Sequence, residues 1–242
     1  MIIKITIALE KSELPVDYSP SFVSLLKNAL SKYNDTLFKR YYADNNFSEK
    51  NFCFAVKLKN PCFKTDRILL DDNTLILRIH IANLADGIDF YNAFIKQRGI
   101  KYPLPDKNSA EIVHVEIANH KQINSDEILI KFLSPLLVRR HENNKDTYLA
   151  FNDEDFEKYF LLSISTMLKN LYSIDTDIIN LTIEPIEPRK TVVNTFGCKI
   201  TGNIGVFRLY GDSQVLSILS QTGIGSRRSQ GFGCFEVLQE VT

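Results

Sequence analysis

The chain has 242 residues, with 29 Lys and Arg against 29 Asp and Glu, and therefore no formal net charge. Its 44% hydrophobic content, with only ten glycines and eight prolines, is that of a globular protein with one large domain or two small ones. A disordered chain and a uniformly polycationic protein are both excluded.

The predicted elements of the first half follow the order β-α-β-β-α-β. They are a strand over residues 3–9, a helix from Ser19-Pro20 to Tyr33, strands over 52–58 and 75–81, a helix over 86–98 and a strand over 111–118. Ser19 is a candidate N-cap with Pro20 in the first turn, and Gly99 is a stop signal after the second helix.

The second half repeats this order. Its predicted elements are a strand over 127–133, an inserted hairpin over 135–150, a helix capped by Asn152, strands over 179–186 and 191–210, a helix from Asp212 to Ser220 and a strand over 232–239. The repeated order is the ferredoxin-like one. The sequence therefore predicts an α+β protein of two tandem ferredoxin-like (βαββαβ) domains, residues 1–122 and 123–242.

One zone is basic against the neutral background. Residues 21–59 carry seven Lys and Arg against three Asp and Glu, a balance of +4, so the rest of the chain sums to −4. Such a zone suits a polyanion bound at one place, although a solvated helix and loop would give the same pattern.

The cysteines and the first residues indicate the compartment. Cys53, Cys62, Cys198 and Cys234 form no CxxC pair, and no Cys/His group has zinc-ligand spacing. The start lacks the basic region of a signal peptide, and no apolar run approaches membrane-spanning length. We expect a reduced, soluble, cytoplasmic protein with no metal, no cofactor and no membrane partner.

The most informative segment is Thr222–Phe235, which we call the glycine loop. Its four glycines and the adjacent Arg227 and Arg228 occur without any acid. Glycine lets backbone N–H groups approach a ligand, successive free N–H groups form an anion-binding concavity, and arginine adds forked donors. The spacing is neither that of a P-loop nor that of a dinucleotide site. A glycine-rich hairpin with two solvated arginines is the alternative.

The loop pattern Gly223-x-Gly225-x-Arg227-Arg228-x-x-Gly231-Phe232-Gly233 resembles that of the repeat-associated RNA-binding superfamily of CRISPR systems. More narrowly, the chain resembles the endoribonuclease that processes precursor CRISPR RNA. Weaker motifs extend the resemblance over essentially the whole chain: Leu14-Pro15-x-x-Tyr18, Phe132-Leu133-Ser134-Pro135-Leu136 and Lys199-x-x-Gly202-x-x-Gly205-x-Phe207-x-Leu209-x-Gly211.

The resemblance implies metal-independent cleavage within each repeat. The 2′-OH of a nucleotide attacks the adjacent phosphate and leaves a 2′,3′-cyclic phosphate and a 5′-OH. No metal is needed because the substrate itself supplies the nucleophile. The implied partner is CRISPR repeat RNA, with proteins of a CRISPR effector complex as further candidates and a monomer or a homodimer as the oligomeric state.

The chain departs from its relatives at the expected catalytic loop. Many relatives carry a histidine after the first helix, whereas residues 36–46 contain none, and Lys27 falls where relatives often have a tyrosine. Lys50 matches the family's lysine. The implied catalytic set contains no histidine. In this set, Lys50 and Lys27 stabilise the charge of the phosphate, and Tyr41, Tyr42, Lys39 or Arg40 orients the RNA or protonates the leaving 5′-oxygen. The alternative for the two tyrosines is that they stack on bases or pack in the core.

The remaining basic residues and histidines are assigned by their place in the chain. The predicted RNA-binding residues are Gly223, Gly225, Ser226, Arg227, Arg228, Ser229, Gln230 and Gly231 of the glycine loop and Arg139 and Arg140 of the hairpin. Arg189-Lys190 is interpreted as a solvated strand start. Replacement of His80, His114, His120 or His141 is expected to leave most activity.

Three functions therefore remain after the sequence is considered. The first is the endoribonuclease, and the second is a weakly catalytic or non-catalytic CRISPR repeat RNA-binding protein. The third is a general single-stranded RNA-binding module, for which the aromatic pattern Phe52-Cys53-Phe54 is a thin match.

Overall fold

Each half of the chain folds around an antiparallel sheet. The computed structural model describes residues 1–43, 49–119, 122–174 and 180–241. The first half contains β1 (Ile2–Leu9), β2 (Glu13–Pro15), α1 (Ser19–Tyr33), α2 (Asp35–Tyr42), β3 (Phe52–Lys57), β4 (Cys62–Phe63), β5 (Arg67–Leu69), β6 (Thr74–Ile81), α3 (Leu84–Lys96), β7 (Lys101–Leu104) and β8 (Asn108–Ala118). The second half contains β9 (Glu127–Phe132), β10 (Val138–Glu142), β11 (Lys145–Leu149), α4 (Phe156–Tyr172), β12 (Thr182–Thr195), β13 (Cys198–Tyr210), α5 (Ser213–Thr222) and β14 (Phe235–Glu240).

The two sheets have the same topology. Their strand orders are β3-β6-β1-β8-β7 and β12-β13-β9-β14. With the four principal strands of each half numbered along the chain, both orders are 2-3-1-4, the ferredoxin-like arrangement, with β7 added at one edge of the first sheet. The predicted fold of two tandem ferredoxin-like domains is confirmed. The boundary between residues 122 and 123 stays a prediction.

Alternation along the strands places a separate apolar core in each domain. In β1, Ile3, Ile5 and Ile7 are fully buried beneath the helices, while Lys4 and Thr6 point to the other face. In β9, Ile128 and Ile130 are likewise buried, in the core of the second domain. A side-chain period of two therefore leaves one face of each sheet free for other contacts.

The segment after α1 was predicted as a loop, and this prediction is wrong for its first part. Residues 35–42 form helix α2, whose N-cap Asn34 accepts a hydrogen bond from the backbone N–H of Leu37 at 3.0 Å. Leu37 and Tyr41, four residues apart, are buried on one face of this helix. The remaining loop residues 44–46 lie outside the described residues.

Some predicted element ends also differ from the structure. Ser19 is the first residue of α1 and not its cap, and its hydroxyl donates instead to the carbonyl of Gln230 at 2.8 Å. Helix α4 begins after Asp155 and not after Asn152. Arg189-Lys190 lies in the middle of β12, paired with residues of β13, and does not open a strand. The predicted inserted hairpin is confirmed as β10–β11.

Within the described ranges, no helix has both the length and the apolar character that a membrane crossing requires.

Candidate functional site

A cleft of about 380 Å³ lies where the two domains meet. It is lined by the segment before β3 (Glu49, Lys50), strand β10 (Arg139, His141), helix α4 (Tyr159, Leu162, Ser163, Thr166) and the glycine loop (Gly225, Ser226, Arg227, Arg228, Ser229). The cleft thus brings together Lys50 of the first domain and predicted RNA-binding residues of the second.

The predicted catalytic lysines meet at one aromatic ring. The ammonium groups of Lys27 and Lys50 each lie 5.0 Å from the centroid of the Tyr42 ring. Burial and then the positive charge of Lys27 lower the pKa of Lys50, while Glu49 opposes this shift. Lys50 therefore releases its proton more readily than an ordinary lysine.

Tyr42 holds the two lysines but does not act as a base. Its hydroxyl is buried and has no hydrogen-bond partner among the described residues. Burial raises its pKa above the ordinary tyrosine range, so the phenol stays protonated near neutral pH.

Of the predicted catalytic residues, Lys50 lines the cleft, whereas the other five are not among its lining residues, and three of these five have partners elsewhere. The Tyr41 hydroxyl donates to Asp86 at 2.6 Å, and its ring packs edge-on against Phe52 and Phe90 in the first core. Burial, followed by the hydrogen bond to Asp86, raises the pKa of Tyr41. Arg40 also pairs with Asp86. Lys39 forms an exposed pair with Asp35 one helical turn away.

The hairpin β10–β11 supplies a histidine to the cleft. Its two-residue turn, Asn143-Asn144, has positive φ at both positions, the backbone of a type I′ turn, and this turn sets His141 opposite Asp146. The Nδ1–H of His141 donates to Asp146 Oδ1 at 2.7 Å. This hydrogen bond is the main reason why the pKa of Asp146 is lower than usual.

Close contacts at glycines hold the glycine loop in place. A Cβ atom at Gly225 would lie 2.6 Å from the carbonyl oxygen of Leu137. A Cβ atom at Gly231 would lie 2.8 Å from the ring of Phe54, which belongs to the first domain. Because φ is +81° and +93° at these positions, both space and backbone conformation require glycine.

The two adjacent arginines of the loop have different environments. Arg228 is 5% exposed, and it donates to Glu49 at 2.8 Å and to the carbonyl of Thr222 at 2.9 Å. Its guanidinium thus ties the second domain to the first. Arg227 is partly exposed; its Nε donates to the Tyr148 hydroxyl at 2.8 Å, and its other guanidinium nitrogens have no hydrogen-bond partner among the described residues. Arg227 therefore retains donors for a ligand in the cleft.

The glycine loop also carries free backbone donors. Many of its N–H groups bond within the protein, for example those of Ser226 to Leu137 and of Gly233 to Pro135. The successive N–H groups of Arg227, Arg228 and Ser229 have no acceptor among the described residues. All three residues line the cleft, and their role in RNA binding stays a prediction.

The predicted RNA-binding arginines of the hairpin face different partners. Arg139 lines the cleft and pairs with Asp146 at 3.4 Å. Arg140 pairs with Asp155 at 3.0 Å, outside the set of residues that line the cleft.

Among the described residues, Cys53, His80 and Cys234 form a group of potential metal ligands between the domains. The ligand atoms of Cys53, His80 and Cys234 lie within 4.8 Å of one another, although the sequence separates them widely. His80 accepts from Arg78 at 2.9 Å through Nε2, and its Nδ1 lies 2.9 Å from the carbonyl of Ser220. Since both ring nitrogens are engaged and a guanidinium is adjacent, the group fits a packed interface better than a metal site.

His80 and His114 are not among the residues that line the cleft. His114 is exposed on β8 and faces Glu116 at 3.8 Å. His120 lies outside the described residues.

Sequence reasoning missed the contacts that complete the cleft. Glu49 and Asp146 carry no motif, and only the fold sets them beside Arg228 and His141. A signal for the second pair was present, because Asn143-Asn144 is a typical two-residue hairpin turn that pairs residue 141 with residue 146.

The second half of the chain matches a known protein family. Residues 118–237 match the family described as CRISPR associated protein Cas6, C-terminal. No curated protein sequence is significantly similar to the chain.

Several solved structures share the fold over the whole chain. A structure described as a Cas6-related gene product from Pyrococcus furiosus has a TM-score of 0.87 at 18% identity and covers 100% of this chain and 99% of that one. A protein described as an RAMP protein binding different RNA substrates has a TM-score of 0.85 at 19% identity, covering 99% and 100%. A Cas6 product complex has a TM-score of 0.72 at 15% identity, covering 98% and 99%.

Proposed function

The chain belongs to the Cas6 family of CRISPR-associated proteins, and from that premise we propose that it binds CRISPR repeat RNA across the cleft and cleaves it there without a metal ion. The family gives the chain a role in binding or processing CRISPR repeat RNA. The proposal adds the place, the chemistry and the residues.

The observation that carries this proposal is that Lys50, whose pKa is lowered, lines the same cleft as the glycine loop. Lys50 comes from the first domain, whereas Arg227 and the free N–H groups of residues 227–229 come from the second. A phosphate between these elements would meet cationic groups and backbone donors from two sides. Such an arrangement stabilises the charge of a pentacoordinate phosphate more than that of the ground state.

The reaction proposed is transesterification followed by release. The O2′–P bond forms, the P–O5′ bond breaks, one proton leaves the 2′-OH and one proton reaches the 5′-oxygen. Lys50 acts on the phosphate charge and donates the proton to the 5′-oxygen, a role that its lowered pKa favours near neutral pH. Lys27 and Tyr42 hold Lys50 in position.

Binding without cleavage is the second candidate function. Residues 36–46, the segment that follows α1, contain no histidine, and Tyr41 and Arg40 are engaged with Asp86 rather than with the cleft. A family member that holds repeat RNA without processing it would keep the glycine loop and lose the catalytic groups. The same RNA-binding cleft serves either function.

Incubation of the protein with a labelled repeat RNA in excess EDTA tests the proposal. Cleavage should persist in EDTA, give a 5′-OH end, and stop when a 2′-deoxy nucleotide replaces the one 5′ of the scissile phosphate. Cleavage that requires Mg²⁺ and tolerates the 2′-deoxy substitution would contradict the proposed chemistry. Tight binding without cleavage would support the second candidate.

A further inference from the structure

We propose that His141, presented by the second domain's hairpin, is the general base that removes the proton from the 2′-OH. This inference rests on the proposed function. It replaces the sequence-based expectation that His141 is dispensable, because the structure places His141 and Lys50 on the walls of one cleft.

The orientation of the imidazole is the first argument. Asp146, opposite His141 across the hairpin, accepts the Nδ1–H at 2.7 Å. With the proton held on Nδ1, the lone pair of the neutral ring lies on Nε2. Nε2 has no hydrogen-bond partner among the described residues, so it is available to a ligand in the cleft. A histidine oriented by a carboxylate in this way is a recurrent arrangement for a general base.

The distribution of charge is the second argument. A lysine or an arginine is a poor base near neutral pH, and the buried phenols of Tyr41 and Tyr42 have pKa values raised by burial. Among the residues that line the cleft, His141 alone is an imidazole. The cleft therefore offers a base on the second domain and an acid, Lys50, on the first.

The proton balance follows from this division. The 2′-OH proton passes to His141 Nε2 as the O2′–P bond forms, and Lys50 gives its proton to the 5′-oxygen as the P–O5′ bond breaks. The imidazolium then loses its proton and the neutral Lys50 amine regains one, both by exchange with solvent, so the enzyme returns to its initial state. Products are the 2′,3′-cyclic phosphate and the 5′-OH.

The chain offers a matched control for this histidine. The side chains of His141 and His114 are 57% and 58% exposed, and both face a carboxylate on their own sheet. His114 lies on β8, outside the set of residues that line the cleft. His141→Ala and His114→Ala therefore remove equally accessible imidazoles, only one of which lines the cleft.

Single-turnover cleavage of repeat RNA in EDTA gives the first readout. His141→Ala should lower the rate by at least about 100-fold, the lower range for a general base, while His114→Ala stays within about threefold of wild type. Affinity for the 2′-deoxy repeat should change by less than about threefold in both. His141→Gln, which keeps a donor for Asp146 but has no basic nitrogen, should be as slow as His141→Ala.

A repeat with sulfur in place of the 5′-bridging oxygen gives the second readout. The thiolate leaves without a proton, so the loss caused by Lys50→Ala should shrink on this substrate, while the loss caused by His141→Ala should persist. A loss at His141 that vanishes with sulfur would make His141 the acid and overturn the assignment.

The failure of this inference differs from the failure of the proposed function. If the wild-type protein cleaves and His141→Ala cleaves equally well, His141 is not the base and the function stands. If the wild-type protein binds the repeat without cleaving it, the proposed reaction and the role of His141 both fail.

Discussion

At the scale of single residues, the local environment distinguishes the predicted catalytic residues that carry a positive charge. Lys27 and Lys50 share the ring of Tyr42, whereas Lys39 and Arg40 are paired with carboxylates. A partly buried lysine beside another cation still attracts a phosphate through its positive charge, and it releases its proton more easily than an exposed lysine does. The cleft lysine is therefore the residue whose loss should affect the rate most selectively.

Lys50→Ala should lower the single-turnover cleavage rate by at least about tenfold, equivalent to about 1.4 kcal/mol of transition-state stabilisation. Affinity for the repeat should stay within a few-fold, because the transition-state phosphate carries more charge than the ground state. Lys57→Ala, at an exposed lysine on the adjacent strand, is the control and should have the wild-type rate. Equal losses of rate and affinity in Lys50→Ala would show that Lys50 only binds RNA.

The pH dependence of cleavage should report the environment of Lys50. If the ammonium form is required, the rate falls as pH rises through the pKa of Lys50, which burial and then Lys27 hold below the ordinary lysine value. Lys27→Ala removes the neighbouring positive charge that lowers the pKa of Lys50. The fall of the cleavage rate at alkaline pH should therefore move to higher pH. Rates measured between about pH 7 and the ordinary lysine pKa of about 10.4, after subtraction of the protein-free rate, test the shift.

Lys32→Ala, on the same helix as Lys27, is the control for this titration and should leave the alkaline fall where it is in the wild type. An unchanged fall in Lys27→Ala would mean that Lys50 is not the titrating group.

At the scale of elements, the glycine loop both lines the cleft and packs against the first domain. Its free N–H groups and Arg227 line the cleft, while Gln230 and Gly231 pack against Ser19 and Phe54 of the first domain. The glycine loop is thus packed against the first domain, which also supplies Lys50 to the cleft. A rigid support of this kind keeps donors in place before the substrate arrives.

Gly231→Ala should separate this packing from simple backbone strain. Gly99→Ala is the matched control, since Gly99 has φ +72° and a Cβ atom there would have no neighbour within 4 Å, so strain alone should cost about 1 kcal/mol. Gly231→Ala should cost about 1–3 kcal/mol more, because its Cβ meets the buried Phe54 ring. Urea unfolding followed by circular dichroism measures both, and equal losses would contradict the close packing.

At the scale of the whole molecule, the cleft exists because the two domains are fastened at specific contacts. Arg228 joins Glu49 and the carbonyl of Thr222, and Arg78 of the first sheet pairs with Glu236 of the last strand at 3.4 Å. Cys53 and Cys234 are buried in the same interface. The shape of the cleft therefore depends on contacts that join the two domains.

Arg227→Ala and Arg228→Ala should have different effects. Arg228→Ala leaves Glu49 without its partner and should destabilise the protein by about 2–3 kcal/mol, below the range for a fully buried pair because the Glu49 side chain is 36% exposed. Arg227→Ala should cost less than about 1 kcal/mol but weaken repeat binding. Each phosphate contact that is lost should lower the magnitude of the log–log salt slope by about 0.7 for single-stranded RNA.

Thermal unfolding and the salt dependence of repeat affinity measure the two effects separately. A double cycle with Glu49→Gln isolates the Arg228–Glu49 coupling. If Arg227→Ala leaves the salt slope unchanged, the arginine does not contact phosphate. If Arg228→Ala is as stable as the wild type, the Arg228–Glu49 pair does not stabilise the contact between the two domains.

The sequence by itself determined the repeated ferredoxin-like order, the inserted hairpin and the glycine loop, because alternation, helical spacing and turn residues act within a few positions. It could not show that residues 35–42 form a helix, since the cap at Asn34 and two apolar residues are a weak local signal.

Only the tertiary structure decided how these elements combine. It buried Arg228 and left Arg227 accessible, moved Tyr41 into the core, and placed His141 on the same cleft as Lys50. The reason is that these outcomes depend on packing between domains, which pairs Arg228 with Glu49 across 179 positions of the chain. A local pattern contains no information about a partner at that distance.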